Sequence, residues 1–120
     1  MKVPFSEDAF VQKAREGNAE TVENFLIAGM KTDATDKKGQ TALIAAAYEG
    51  QQQVVRLLLK NGADIEGRDK KFGGTALIWA AIGGRIETVK LLLEKGANLD
   101  ARENENGASA LHAAAAKGHN

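Results

Sequence analysis

Two histidines, His112 and His119, stand seven residues apart near the end of this chain of 120 residues, which has no cysteine at all. A helical metal pair needs ligands one turn apart and further donors to complete the coordination shell. Here the spacing is two turns and no third ligand lies close by, so no metal is expected. The glycine pairs Gly73-Gly74 and Gly83-Gly84 do not read as a phosphate loop. No buried strand precedes them, and no Gly-Lys-Ser/Thr follows. They read as turn and helix-end glycines. No nucleophile stands with a base in any recognisable arrangement. The sequence therefore predicts no catalytic residues, no cofactor and no enzyme.

The residues left with chemistry to offer are cations and aromatics. Lys37, Lys38, Arg68, Lys70, Lys71 and Arg102 fall at or beside glycine-marked turns, with Gln40 and Phe72 among them. Tyr48, Trp79 and Ile82 lie in the apolar stretches that follow. Such a set does not make or break bonds. It can hold an acidic segment by charge and bury an aromatic or aliphatic anchor.

Those turns belong to a repeat. Residues 36–68 return as residues 69–102: Thr41-Ala42-Leu43-Ile44 as Thr75-Ala76-Leu77-Ile78, Leu57-Leu58-Leu59 as Leu91-Leu92-Leu93, and Gly62-Ala63-Asp64 as Gly96-Ala97-Asn98. Gly17 to Gly50 and Gly29 to Gly62 are each 33 residues apart, which places a further copy at the beginning. A period near 33 residues, carrying two apolar helical patterns and a glycine turn, marks a solenoid.

The repeat resembles the ankyrin family, whose unit is a β-turn followed by two antiparallel helices. Asp36, Gly39, Thr41, Leu43, Ala46, Ala47, Gly50, Leu58, Leu59, Gly62, Ala63 and Asp64 match the family pattern in one copy. Asp69, Thr75, Leu77, Ala80, Ala81, Gly84, Leu92, Leu93, Gly96 and Ala97 match it in the next. The proline of the family's Thr-Pro-Leu-His motif is replaced by Ala42, Ala76 and Ala110, and its histidine by Ile44 and Ile78, surviving only as His112. The resemblance gives both histidines a structural reading, His112 in the Thr-x-x-His slot and His119 in the Gly-His slot. It implies an all-α ankyrin-repeat solenoid of helix–turn–helix units with β-turn fingers, forming one domain over residues 1–120. The repeats are expected at about 5–35, 36–68, 69–102 and an incomplete 103–120.

Taken in order, Ser6 is the expected N-cap of a helix reaching about residue 16, with Phe10, Val11 and Ala14 on its apolar face. Its partner covers 19–28 through Val22, Phe25 and Leu26. The next pair is expected at 42 to 48 or 49, capped by Thr41 and kept thin by Ala45–Ala47, and at 52–60, buried through Val54, Val55, Leu58 and Leu59. The turn at residues 69–74 is one residue longer than that at 36–40, so Thr41 to Thr75 is 34 residues. The chain stops after the first half of a fourth repeat. That end is expected to leave Val89, Leu92 and Leu93 exposed, which would allow a homodimer through the C-terminal end.

Composition narrows the function. Sixteen Lys and Arg balance sixteen Asp and Glu, so bulk charge favours neither nucleic acid nor an acidic partner. No apolar run approaches the roughly 20 residues of a membrane span. The start lacks an apolar signal core, and a cytoplasmic location is expected. The resemblance implies a non-catalytic module binding a partner protein through its concave groove and turn tips. The residues expected to form that contact are Lys37, Lys38, Gln40, Tyr48, Arg68, Lys70, Lys71, Phe72, Ile82 and Arg102. The alternatives are self-association through the last repeat, or a nucleotide or small-ligand site using Lys70, Lys71, Phe72 and Trp79. Glu103 and Glu105 reverse the charge at the fourth tip, so the basic strip is confined to the central repeats.

Overall fold

The computed structural model describes residues 5–98. Within them the chain forms six helices: α1 Glu7–Glu16, α2 Ala19–Ile27, α3 Ala42–Glu49, α4 Gln52–Lys60, α5 Ala76–Ile82 and α6 Ile86–Glu94. Each first helix starts on a side-chain cap, which satisfies one of the N–H groups that a helix leaves unpaired at its start. Ser6 Oγ accepts from Ala9 N–H at 3.1 Å, Thr41 Oγ1 from Ile44 N–H at 3.1 Å and Thr75 Oγ1 from Ile78 N–H at 3.4 Å. The isoleucines that replace the family histidine thus keep the cap through their backbone, and both side chains are buried.

α4 and α6 have no side-chain cap. The residues at their N-cap positions reach backwards instead. Gln51 Nε2 donates to the Arg15 carbonyl at 3.1 Å, and Arg85 Nε to the Tyr48 carbonyl at 3.0 Å. Each satisfies a carbonyl at the end of the preceding first helix, so a local cap is exchanged for a bond between neighbouring units. α4 closes in a Schellman turn: Gly62 N–H bonds to the Leu59 carbonyl and Ala63 N–H to that of Leu58. That turn requires the left-handed backbone of Gly62, φ +91°.

The first helices α1, α3 and α5 pack in one row; α2, α4 and α6 pack behind them in a second. The alanines of α3 let its neighbours approach, and Ala42 and Ala45–Ala47 are all buried. Phe10, Val11, Ile44, Val54, Val55, Leu58, Leu77, Ile78 and Leu92 are fully buried between the rows. At about 1.5–3 kcal/mol per large apolar side chain, this burial rather than helix propensity holds the stack together. Leu59, expected in the core, is half-buried at its edge. Leu92, expected at an exposed end, is fully buried, in a helix that packs against α5 and α4. Val89 is half-buried and Leu93 is 37% exposed.

Side chains and backbone also staple the turns of neighbouring units. Asp33 Oδ1 accepts from Asp64 N–H at 3.1 Å and Glu66 Oε2 from Asn98 N–H at 2.7 Å. At the fingers Lys70 N–H donates to the Gly39 carbonyl at 3.1 Å. Among the described residues no helix is long and apolar enough to cross a membrane. The half repeat at 103–120, with His112 and His119, lies outside the described residues.

Candidate functional site

The two fingers that carry the basic residues are built on buried or half-buried aspartates. In the finger before α3, Asp36 Oδ1 accepts from Lys38 N–H at 3.0 Å and Gln40 N–H at 2.9 Å, and Asp36 N–H closes the turn on the Gln40 carbonyl at 3.0 Å. Arg15 reaches up from α1. Its Nη2 lies 2.7 Å from Gln40 Oε1 and 3.5 Å from Asp36 Oδ2. Asp8 meets the same finger: its Oδ1 accepts from Lys37 N–H at 2.9 Å, and its Oδ2 lies 3.7 Å from Lys37 Nζ. The Lys37 side chain is 90% exposed, so water screens that ion pair and it holds the lysine weakly.

In the finger before α5, Asp69 is buried and accepts three donors. Its Oδ2 takes Phe72 N–H at 2.8 Å, and its Oδ1 takes Gly74 N–H at 2.7 Å and the indole Nε1–H of Trp79 at 2.9 Å. The extra residue shows in the turn itself. Gly39 N–H bonds to the carbonyl of Asp36, three residues back; Gly73 N–H bonds to that of Asp69, four back. The longer turn puts Phe72 at the tip, 40% exposed, before Gly73 takes the positive φ of +73°. Phe72 rests against Trp79 at 5.8 Å between centroids, Tyr48 meets the same indole edge-on at 5.8 Å, and Lys71 Nζ lies 5.3 Å over the Phe72 ring. Trp79 thus joins Phe72 on the finger to Tyr48 on α3.

Between the two fingers opens a cleft of about 550 Å³ lined by Lys37, Lys38, Gln40, Asp69, Lys70, Lys71 and Phe72. The structure therefore gathers Lys37, Lys38, Gln40, Lys70, Lys71 and Phe72 of the expected contact set. Tyr48 and Ile82 do not line this cleft. Tyr48 is 41% exposed beside Trp79, and Ile82 is half-buried at the end of α5. Arg68 Nη1 donates to the Gly73 carbonyl at 2.6 Å and so braces the finger. Arg102 lies outside the described residues. Among the described residues, Lys38, Lys70 and Lys71 have no carboxylate within ion-pair distance. The one carboxylate in the cleft wall, Asp69, is committed to its three donors. The cleft is basic in a chain that is neutral overall.

Sequence reasoning overlooked Asp69, Arg15 and Asp8 as the groups that hold the fingers, and it left the indole N–H of Trp79 without a partner. One signal was present. Where the second unit has Gln40 and Ala45, the third has Gly74 and Trp79. The indole occupies the space a side chain at position 74 would need, since a Cβ there would lie 2.7 Å from Trp79 Nε1. Away from the cleft, Gln12 and Lys13 donate to the Glu16 carboxylate and hold it below the usual range. Among the described residues no group of three or more His, Asp or Glu side chains converges as a metal site would. Phe72 and Trp79 already touch each other, which leaves no gap between them for a stacked base.

A family model of ankyrin repeats in three copies matches residues 10–103 and, overlapping them, 66–120. The chain belongs to the ankyrin-repeat family. Its two rows of helices and capped fingers are those of an ankyrin solenoid. It is also similar to the potassium channel AKT2/3 of Arabidopsis thaliana, 43% identical over 53 residues, which is 44% of this chain and 7% of the channel. The match thus covers less than a tenth of that relative's length, and what the whole channel does is not carried by it.

Proposed function

We propose that this ankyrin chain is a non-catalytic module that binds a partner protein through its concave groove and the tips of its fingers. The observation that carries the reading is the cleft between the fingers before α3 and α5. It presents Lys38, Lys70 and Lys71, without ion-pair partners among the described residues, beside a half-exposed aromatic ring. The backbone under those side chains is fixed by Asp36 and Asp69, by the bond from Lys70 N–H to Gly39, and by the indole of Trp79. A preorganised surface loses little conformational entropy on association, so its contacts translate efficiently into affinity. The residues expected to contribute are those of the cleft, with Tyr48 and Ile82 along the first helices beside it.

The test is selection from a displayed library of proteome fragments on the immobilised chain, repeated on a variant with Lys70→Glu, Lys71→Glu and Phe72→Ala. Fragments that bind the parent chain and lose binding to the equally well-folded variant support the reading. Fragments retained equally by both would place the interface elsewhere on the molecule.

A further inference from the structure

We propose that the occupant of the cleft is an extended acidic segment of the partner, with aspartates or glutamates flanking one apolar side chain; this rests on the protein-binding reading above. Charge is the first argument. Lys38 comes from one finger and Lys70 and Lys71 from the next, all are exposed, and none has a carboxylate within ion-pair distance among the described residues. Lysines borne on separate exposed tips form no enclosed anion pocket. They suit several carboxylates spread along a chain better than a single small anion.

The second argument is the ring. Phe72 stands 40% exposed beside those cations, its other side held by Trp79 and Lys71 at 5.3 Å over it. An exposed aromatic on a rigid base offers one apolar seat among charges, the arrangement of an interface anchor ringed by polar contacts. The third argument limits the strip. Towards α1, Asp8 meets Lys37 and Arg15 is taken by Asp36 and Gln40. Among the described residues the basic surface therefore covers two fingers and does not continue towards α1 as a phosphate backbone track would.

The probes are short fluorescein-labelled peptides and an oligonucleotide, followed by anisotropy and by emission from Trp79, the chain's only tryptophan. One peptide carries glutamates around a leucine. In a second the glutamates become lysines, in a third the leucine becomes alanine, and a single-stranded DNA of similar length is the fourth probe. The acidic leucine peptide is expected to bind and to change Trp79 emission, the lysine peptide not to bind, and the alanine peptide to bind severalfold more weakly. Affinity is expected to fall severalfold between about 50 and about 200 mM salt, as screening shortens the reach of exposed charges. The Lys70→Glu, Lys71→Glu variant is expected to weaken binding at least about tenfold with an unchanged melting temperature. Lys13→Glu, outside the cleft, is expected to leave binding unaltered. Equal binding of the acidic and basic peptides, indifference to the charge reversal, or tighter binding of the DNA would each overturn the proposal. The two readings fail separately. Display selection that enriches non-acidic peptides at this cleft removes the acidic segment and keeps the binding module. Selection that enriches nothing sensitive to the finger variant removes both.

Discussion

The fingers at 36–40 and 69–74 start from the same residues and reach different solutions. Both begin Asp-Lys-Lys, and both use the aspartate to gather backbone N–H groups. In the first, the spare carboxylate oxygen and the Gln40 side chain turn to Arg15 of the preceding unit. In the second, a buried aspartate turns inward to Trp79, position 74 loses its side chain, and the added residue is an aromatic displayed at the tip. One inserted residue, a glutamine-to-glycine change and an alanine-to-tryptophan change convert a finger whose side chains are held by the preceding unit into one held by its own helix. The ring that this puts outside is then free for contact.

The comparison is broken most severely at its buried centre. Asp69→Ala leaves three donors without an acceptor and should cost about 3 kcal/mol, read by urea unfolding. Trp79 emission should shift to the red as its N–H turns to water, and Asp69→Asn should recover part of the loss. Asp36→Ala, in the more open finger, should cost about half as much; equal losses would mean that burial does not separate the two fingers. Next in size, Gly74→Gln transplants the first finger's residue into the second and should cost about 2 kcal/mol, because the indole fills its space. In a Trp79→Ala background the same change should cost close to nothing, and a thermodynamic cycle without that coupling would refute the exchange of Gln40 and Ala45 for Gly74 and Trp79.

Gly62→Val calibrates both from outside the fingers. Nothing lies within 4 Å of a Cβ at that position, so its cost, about 1–2 kcal/mol, would come from the left-handed backbone alone. A melting temperature equal to the parent's would show that the Schellman turn does not need glycine. The smallest effect belongs to the tip. Replacing Lys70, Lys71 and Phe72 together by alanine should change stability by less than about 1 kcal/mol, since the lysines are exposed and Phe72 rests on Trp79 by one side only. A larger loss in calorimetry would make Phe72 a structural member of the finger.

The sequence by itself determined the repeat, the helices and most of their limits. A threonine or serine cap, an apolar period and a closing glycine are local signals acting within a few residues, so α1 and α3 stand where the pattern puts them, and α4 does so on its apolar period and closing glycine alone. It also marked the basic tips and the inserted Phe72. What it did not carry was the allocation of each polar group to a partner. Asp8 meets Lys37, Arg15 meets Gln40, and Gln51 and Arg85 leave their own helices to bond the preceding unit. Trp79 and Asp69 find each other between a helix and its own finger. The same residue types could have faced solvent at little cost in an isolated unit. Stacking brings the units within bonding distance and shields these groups from water, and only then does each hydrogen bond acquire its partner. Tertiary structure therefore decided which lysines among the described residues keep open charge.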